Sequence, residues 1–187
     1  GAAHKETEQE RAVPAATDEV DETPMDPEGH LSAGHSHSCG IRSDGTLHCW
    51  GTDEGDWNYG QVTGTPTGGF RAVSVGGYFS CGVLEEDAGF SCWGENKGPP
   101  NPVDTSLAYI NAGIDHACGL HLDGAVQCWG DDAYGETSPP DVSFVQVSAG
   151  YRHSCGITED AQALCWGRDA EGQSSVPERD FTAVSAG

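Results

Sequence analysis

Eight cysteines are the residues of this 187-residue chain with the most chemistry in them, and their spacing is regular. They fall into four pairs: Cys39 and Cys49, Cys81 and Cys92, Cys118 and Cys128, Cys155 and Cys165. Zinc sites space paired cysteines about two to four residues apart, whereas these are separated by nine or ten. Disulfides are therefore the expected chemistry, and an oxidising compartment the expected setting. Histidine recurs two positions before the first cysteine, as His37, His116 and His153, with Phe79 in the remaining place. A catalytic histidine would stand apart from its siblings. Periodic ones read as structural, each expected to hydrogen-bond a turn.

His35 and His37 lie on one side of an extended stretch and could bind a metal ion. Asp53, Glu54 and Asp56, like Asp131 and Asp132, offer oxygen ligands for calcium, but without the twelve-residue loop of a dedicated site. No cofactor or metal site is expected, with calcium kept as a possible cofactor. No nucleophile elbow, phosphate-binding glycine loop or zinc-protease helix occurs, so no catalytic residue is assigned. Trp57 and Tyr59 sit in a connection outside the periodic positions. They are read either as anchors of a binding loop or as cover for the end of a structural unit.

These residues need elements to position them, and the repeats indicate which. The segment 1–30 contains nine acidic residues and three prolines with little large apolar surface. It reads as a disordered or linker-like terminus, with ordering against a partner subunit as the other reading. From Leu31 onward one element recurs at Leu31, Val73, Ile110, Val147 and Val184, with intervals of 42, 37, 37 and 37 residues. A second recurs as CGIRSDGTLHCWG, CGVLEEDAGFSCWG, CGLHLDGAVQCWG and CGITEDAQALCWG. Each predicts a β-hairpin. In the first, Ser43-Asp44-Gly45 forms a three-residue loop that sets Cys39 opposite Cys49 and Ile41 opposite Leu47. Trp50, Trp93, Trp129 and Trp166 then lie on the opposite face. With both faces wanting cover, a single hairpin cannot stand alone, but a stack of equivalent units can.

The formal net charge of -22 disfavours nucleic acid and anionic membrane surfaces as partners. No apolar run of membrane-spanning length occurs.

The pattern V-S-A-G-x-x-H-S-C-G-I, a D-G turn and then C-W-G resembles the repeat of the regulator of chromosome condensation family, most closely its cysteine-paired bacterial branch. It stands here as VSAGYRHSCGI with CWG in 147–167 and as LSAGHSHSCGIRSDGTLHCWG in 31–51. The resemblance covers 31–187 and implies an all-β propeller. About four short antiparallel blades and one extra strand are expected, as an open arc or completed by another copy. The functional expectation is a secreted, extracellular or cell-surface binding module engaging a protein or glycan, with the periplasm as the alternative location. The runner-up is a structural subunit that assembles head to tail by strand addition into a filament or sheath. A hydrolase or lyase is the least favoured reading.

Overall fold

The computed structural model describes residues 31–86, 89–95 and 107–187; the acidic segment 1–30 lies outside them. Among the described residues twelve strands form four three-stranded antiparallel sheets, and no α-helix occurs. Blade one comprises β1 (Leu31–Ala33), β2 (His37–Ile41) and β3 (Leu47–Gly51). Blade two comprises β4 (Phe70–Val75), β5 (Phe79–Leu84) and β6 (Phe90–Gly94). Blade three holds β7 (Leu107–Ala112), β8 (His116–His121) and β9 (Val126–Gly130). Blade four holds β10 (Phe144–Ala149), β11 (His153–Thr158) and β12 (Ala163–Gly167).

The hairpin register follows from the turns. Arg42 N–H donates to the Thr46 carbonyl at 2.9 Å and closes a loop in which Gly45 takes φ 80°. The Asp44 carboxylate accepts from Thr46 N–H at 3.0 Å, which fixes the turn from within. Cys39 thereby faces Cys49, and Ile41 faces Leu47. The other hairpins repeat this register, and each cysteine pair is bridged with Cα atoms 4.0 or 4.1 Å apart. In the fourth hairpin the left-handed position is held by Ala161 at φ 60°, which costs about 1 to 2 kcal/mol relative to a right-handed residue.

The VSAG element forms the end of the innermost strand, and its small polar residue links one blade to the next. Ser32 Oγ accepts from Val75 N–H at 3.0 Å, and Ser74 Oγ accepts from Ala112 N–H at 2.9 Å. Asn111 Oδ1 does the same for Ala149 at 2.7 Å, and Ser148 Oγ for Ala186 at 3.0 Å. The glycine that follows is required by proximity. A Cβ on Gly34 would lie 2.1 Å from the Gly76 carbonyl oxygen, and one on Gly113 would lie 2.2 Å from that of Gly150.

The core is a series of layers between blades. One joins Cys39, Leu47 and Cys49 to Phe70, Val73 and Trp93. The next joins Phe79, Cys81 and Val83 to Leu107, Ile110 and Trp129. The third joins Cys118 and Leu120 to Phe144, Val147 and Trp166. Trp93, Trp129 and Trp166 are at most 8 % exposed, whereas Trp50 on the outer side of blade one is 46 % exposed. Burial of a tryptophan here is thus a property of having a neighbouring blade.

The repeated histidines differ from expectation. The partners of His37 and His116 are serines of the next blade, not local turns. His37 Nε2 pairs with Ser80 Oγ at 2.7 Å and His116 Nε2 with Ser154 Oγ at 2.8 Å. Where the second repeat carries Phe79, the next blade has Ala117 at the serine position, so an apolar pair replaces a polar one. Strand alternation defines which way a histidine faces, but only the blade-to-blade register defines what it meets.

Candidate binding face

Every turn between the first and second strands of a blade lies at the same end as the connection leaving the third strand. Thr52 N–H donates to Ser36 O, Glu95 to Tyr78 O, Asp131 to Asp115 O and Arg168 to Arg152 O, all at 2.8 or 2.9 Å. Among the described residues the long connections therefore gather on one face of the arc, and the hairpin tips occupy the other.

A buried amide or carboxyl pegs the connections that follow blades one and three. Gln61 is fully buried, and its Nε2 donates to the carbonyls of Thr52 at 3.0 Å and Trp57 at 2.9 Å. Its Oε1 accepts from Tyr59 N–H at 2.7 Å. Its backbone carbonyl accepts from the Trp93 indole of the next blade at 3.0 Å. Glu136 repeats the arrangement, accepting from Tyr134 N–H at 2.6 Å and presenting its carbonyl to Trp166 at 2.9 Å. Tyr59-Gly60-Gln61 and Tyr134-Gly135-Glu136 are thus one recurring device, with Glu171-Gly172-Gln173 as its third instance. The sequence reading passed over it because the connections differ in length.

Pegged in this way, Trp57 and Tyr59 are 59 % and 41 % exposed and converge on blade two. The Trp57 ring stacks on Tyr78 with centroids 5.4 Å apart and planes 17° apart. Tyr59 lies 5.6 Å from the same ring, and His35 meets it edge-on at 5.5 Å. Both predicted loop aromatics therefore belong to one cluster. Tyr78 was missed, and His35 was singled out only as a metal ligand with His37. At the junction of blades three and four, Arg152 lies over two rings, 5.3 Å from the Tyr134 centroid and 5.4 Å from that of Tyr151. It also donates to Tyr134 Oη at 3.1 Å.

Between these two clusters the innermost strands border a shallow cavity of about 290 Å³, lined by His35, Val75, Ile114, Ala149 and Tyr151 among others. His35 and His37 do not act as a pair: one packs on Tyr78 and the other on Ser80. Among the described residues no group of three or more His, Cys, Asp and Glu side chains converges as a metal cage.

The His–Ser pairs have the geometry of a base and a hydroxyl nucleophile, but Ser80 and Ser154 are fully buried between blades. No substrate reaches them. Burial holds the His37, His116 and His153 imidazoles below their ordinary pKa, with His116 lowered to about 4. After burial, the nearby His153 is the next cause at His116, opposed by Asp115, Asp131 and Asp132.

Stacked three-stranded sheets with inner strands bordering a common cavity define a β-propeller-type repeat protein. Residues 30–61, 108–136 and 144–173 match the regulator of chromosome condensation (RCC1) repeat, so these three segments are repeats of that kind. The unmatched second repeat is the one with Phe79 and the longer hairpin.

Similar solved structures include the ectodomain of the Arabidopsis thaliana receptor kinase ACR4, at 28% identity and a TM-score of 0.67 over 83% of this chain and 55% of that one. The ectodomain of the Physcomitrella patens receptor kinase CR4 aligns at 23% identity and a TM-score of 0.71, covering 84% and 47%. Yeast RCC1 (Prp20), solved bound to Kap60, aligns at 16% and 0.64, covering 81% and 46%. The chain spans about half the length of each. No helix among the described residues is long and apolar enough to cross a membrane.

Proposed function

We propose that this chain is a non-catalytic binding module of an extracellular or cell-surface propeller, engaging its partner across the face that carries the long connections. The observation behind this reading is the cluster in which exposed Trp57, Tyr59 and His35 surround half-buried Tyr78. Aromatics on pegged loops offer large contact area at little entropic cost, which is the usual make-up of an interface anchor. Four disulfides support an oxidising location, and two of the similar structures are receptor ectodomains.

The test compares the two faces. Immobilised full chain is offered solubilised cell-surface proteins and a panel of glycans. Trp57→Ala with Tyr59→Ala should abolish retention of whatever binds, while Leu122→Ala on the hairpin face should not. Equal loss on both faces, or none on either, would refute the reading.

A second reading rests on a separate observation: the two outer edges carry matching halves of the interior contacts. Ser38 and Trp50 stand on the outer side of blade one, and His153 and Gln173 occupy the corresponding partner positions in blade four. Blade four of one copy would therefore present to blade one of the next the histidine and backbone carbonyl used at the internal junctions. This is the structural-subunit alternative, and sedimentation at rising concentration tests it. A single concentration-independent monomer would rule it out.

A further inference from the structure

Trp57, Tyr59 and Tyr78 share their face with Asp53, Glu54 and Asp56, all on the same connection and all exposed. The 3₁₀ turn at Gly55–Trp57 and the Gln61 side chain fold this connection into a fixed shape. Three carboxylates thus come within one loop of three aromatic rings. Among the described residues of blades one and two the cationic side chains are Arg42 and Arg71. Arg42 belongs to a hairpin turn on the opposite face, and the Arg71 guanidinium donates to the carbonyls of Leu107 and Ala108. Neither neutralises the loop.

The other end of the same face shows what these side chains do when a cation is present. Tyr134 is the repeat equivalent of Tyr59, and Arg152 is the equivalent of Tyr78. There the chain places its own guanidinium between two tyrosine rings. At the first junction the arginine is replaced by a third aromatic, beside the exposed carboxylates of Asp53, Glu54 and Asp56. The rings keep their negative faces, the carboxylates add charge, and among the described residues no cationic side chain is set against these rings.

We propose that the Trp57–Tyr59–Tyr78 cluster with its acidic loop receives an arginine or lysine side chain from a basic segment of a partner protein. This rests on the binding-module reading and names the chemistry of the partner. A guanidinium laid on the Trp57 ring would gain the cation–π attraction, and Asp53, Glu54 and Asp56 would supply the counter-charge. The whole-chain charge of -22 would steer such a segment toward the protein, while the aromatic cluster would determine where it docks.

The experiment uses the full chain with its disulfides intact, confirmed by mass and thermal melting, in about 150 mM salt near the physiological ionic strength. Acetylated tetra-arginine amide is titrated by calorimetry, with tetralysine amide and neutral chitotetraose as parallel probes. Tetra-arginine should bind, and Trp57→Ala should weaken it about tenfold, with Trp57→Phe intermediate. Asp53→Asn with Asp56→Asn should weaken it and flatten its salt dependence. Glu159→Gln with Asp160→Asn removes the same charge from the hairpin face and should leave binding unchanged.

Equal weakening by the two charge-removing pairs, with Trp57→Ala silent, would reduce the binding to overall charge and overturn the proposal. Saturable chitotetraose binding lost in Trp57→Ala, with no tetra-arginine binding, would overturn it in favour of a glycan. In that case the loop-face reading survives. If the Trp57→Ala and Tyr59→Ala variant also retains every surface partner, that reading fails as well.

Discussion

Between the first and second blades, His37 reaches Ser80 and Trp93 reaches the Gln61 carbonyl. Between the third and fourth, His116 reaches Ser154 and Trp166 reaches the Glu136 carbonyl. The two interiors are copies. Their rims are not: one carries Trp57, Tyr59 and Tyr78 beside three carboxylates, and the other carries Arg152 between Tyr134 and Tyr151. The comparison separates two demands on a repeat. Residues facing the next blade must satisfy a fixed register, so they recur. Exposed residues on the connecting loops satisfy only solvent or a partner, so they are free to diverge.

Removing what the junctions share should have the largest effect. Full reduction and alkylation opens four loops of about eleven residues, each contributing roughly 2.5 to 3 kcal/mol in the chain-entropy model. A loss on the order of 10 kcal/mol is comparable to the entire net stability of a typical domain. Near-ultraviolet circular dichroism should therefore collapse for both junctions at once. A retained signal would show that interblade packing alone holds the fold.

The middle junction can be converted to the type of its neighbours. Phe79→His should cost about 3 kcal/mol through lost packing and an unpaired buried imidazole. Adding Ala117→Ser should restore about 1 kcal/mol or more of it, read as a coupling in urea melts. Simple additivity of the two changes would contradict the pairing rule.

Acid should act through the same histidines. Their folded pKa values lie below the unfolded value of about 6.5, so the unfolded chain binds more protons in that window. The stability they contribute is complete above about pH 6.5 and is lost as the pH falls toward 4. For His116 alone, a pKa of about 4 corresponds to a loss on the order of 3 kcal/mol, an upper figure for one imidazole. Urea midpoints across this range provide the measurement, and His116→Gln should flatten the curve.

Smaller effects distinguish an inner from an outer tryptophan. Trp93→Phe loses a buried indole hydrogen bond and should cost about 1 to 2 kcal/mol. Trp50→Phe on the outer side should stay within about 0.5 kcal/mol. Similar costs at the two positions would mean that blade one is covered in solution. Smallest of all, Trp57→Ala should leave the melting temperature nearly unchanged while altering binding. A large drop would make Trp57 a structural cap.

Much of the strand pattern was legible because a hairpin is a local object. The cysteine spacing, the Asp-Gly turn and the alternation of Ile41 and Leu47 define one register without reference to anything distant. Trp57 and Tyr59 stood out in the same way, by falling outside the period. Tyr78 did not, because its importance comes from a loop nineteen residues earlier in the chain folding onto it. The role of the serine in VSAG was hidden too, since its hydrogen bond crosses 43 residues from Ser32 to Val75.

The sequence by itself determined that the chain forms stapled β-units, that the units repeat, and where each tryptophan and cysteine lies on its strand. These follow from periodicity and turn chemistry, which act over a few residues. Tertiary structure alone decided that histidine meets serine across blades and that the glycines let inner strands approach. It also decided that one loop carries its aromatics onto the next blade. Those contacts depend on how successive sheets are set against each other, a relation that spans about forty residues and leaves no mark in any local pattern.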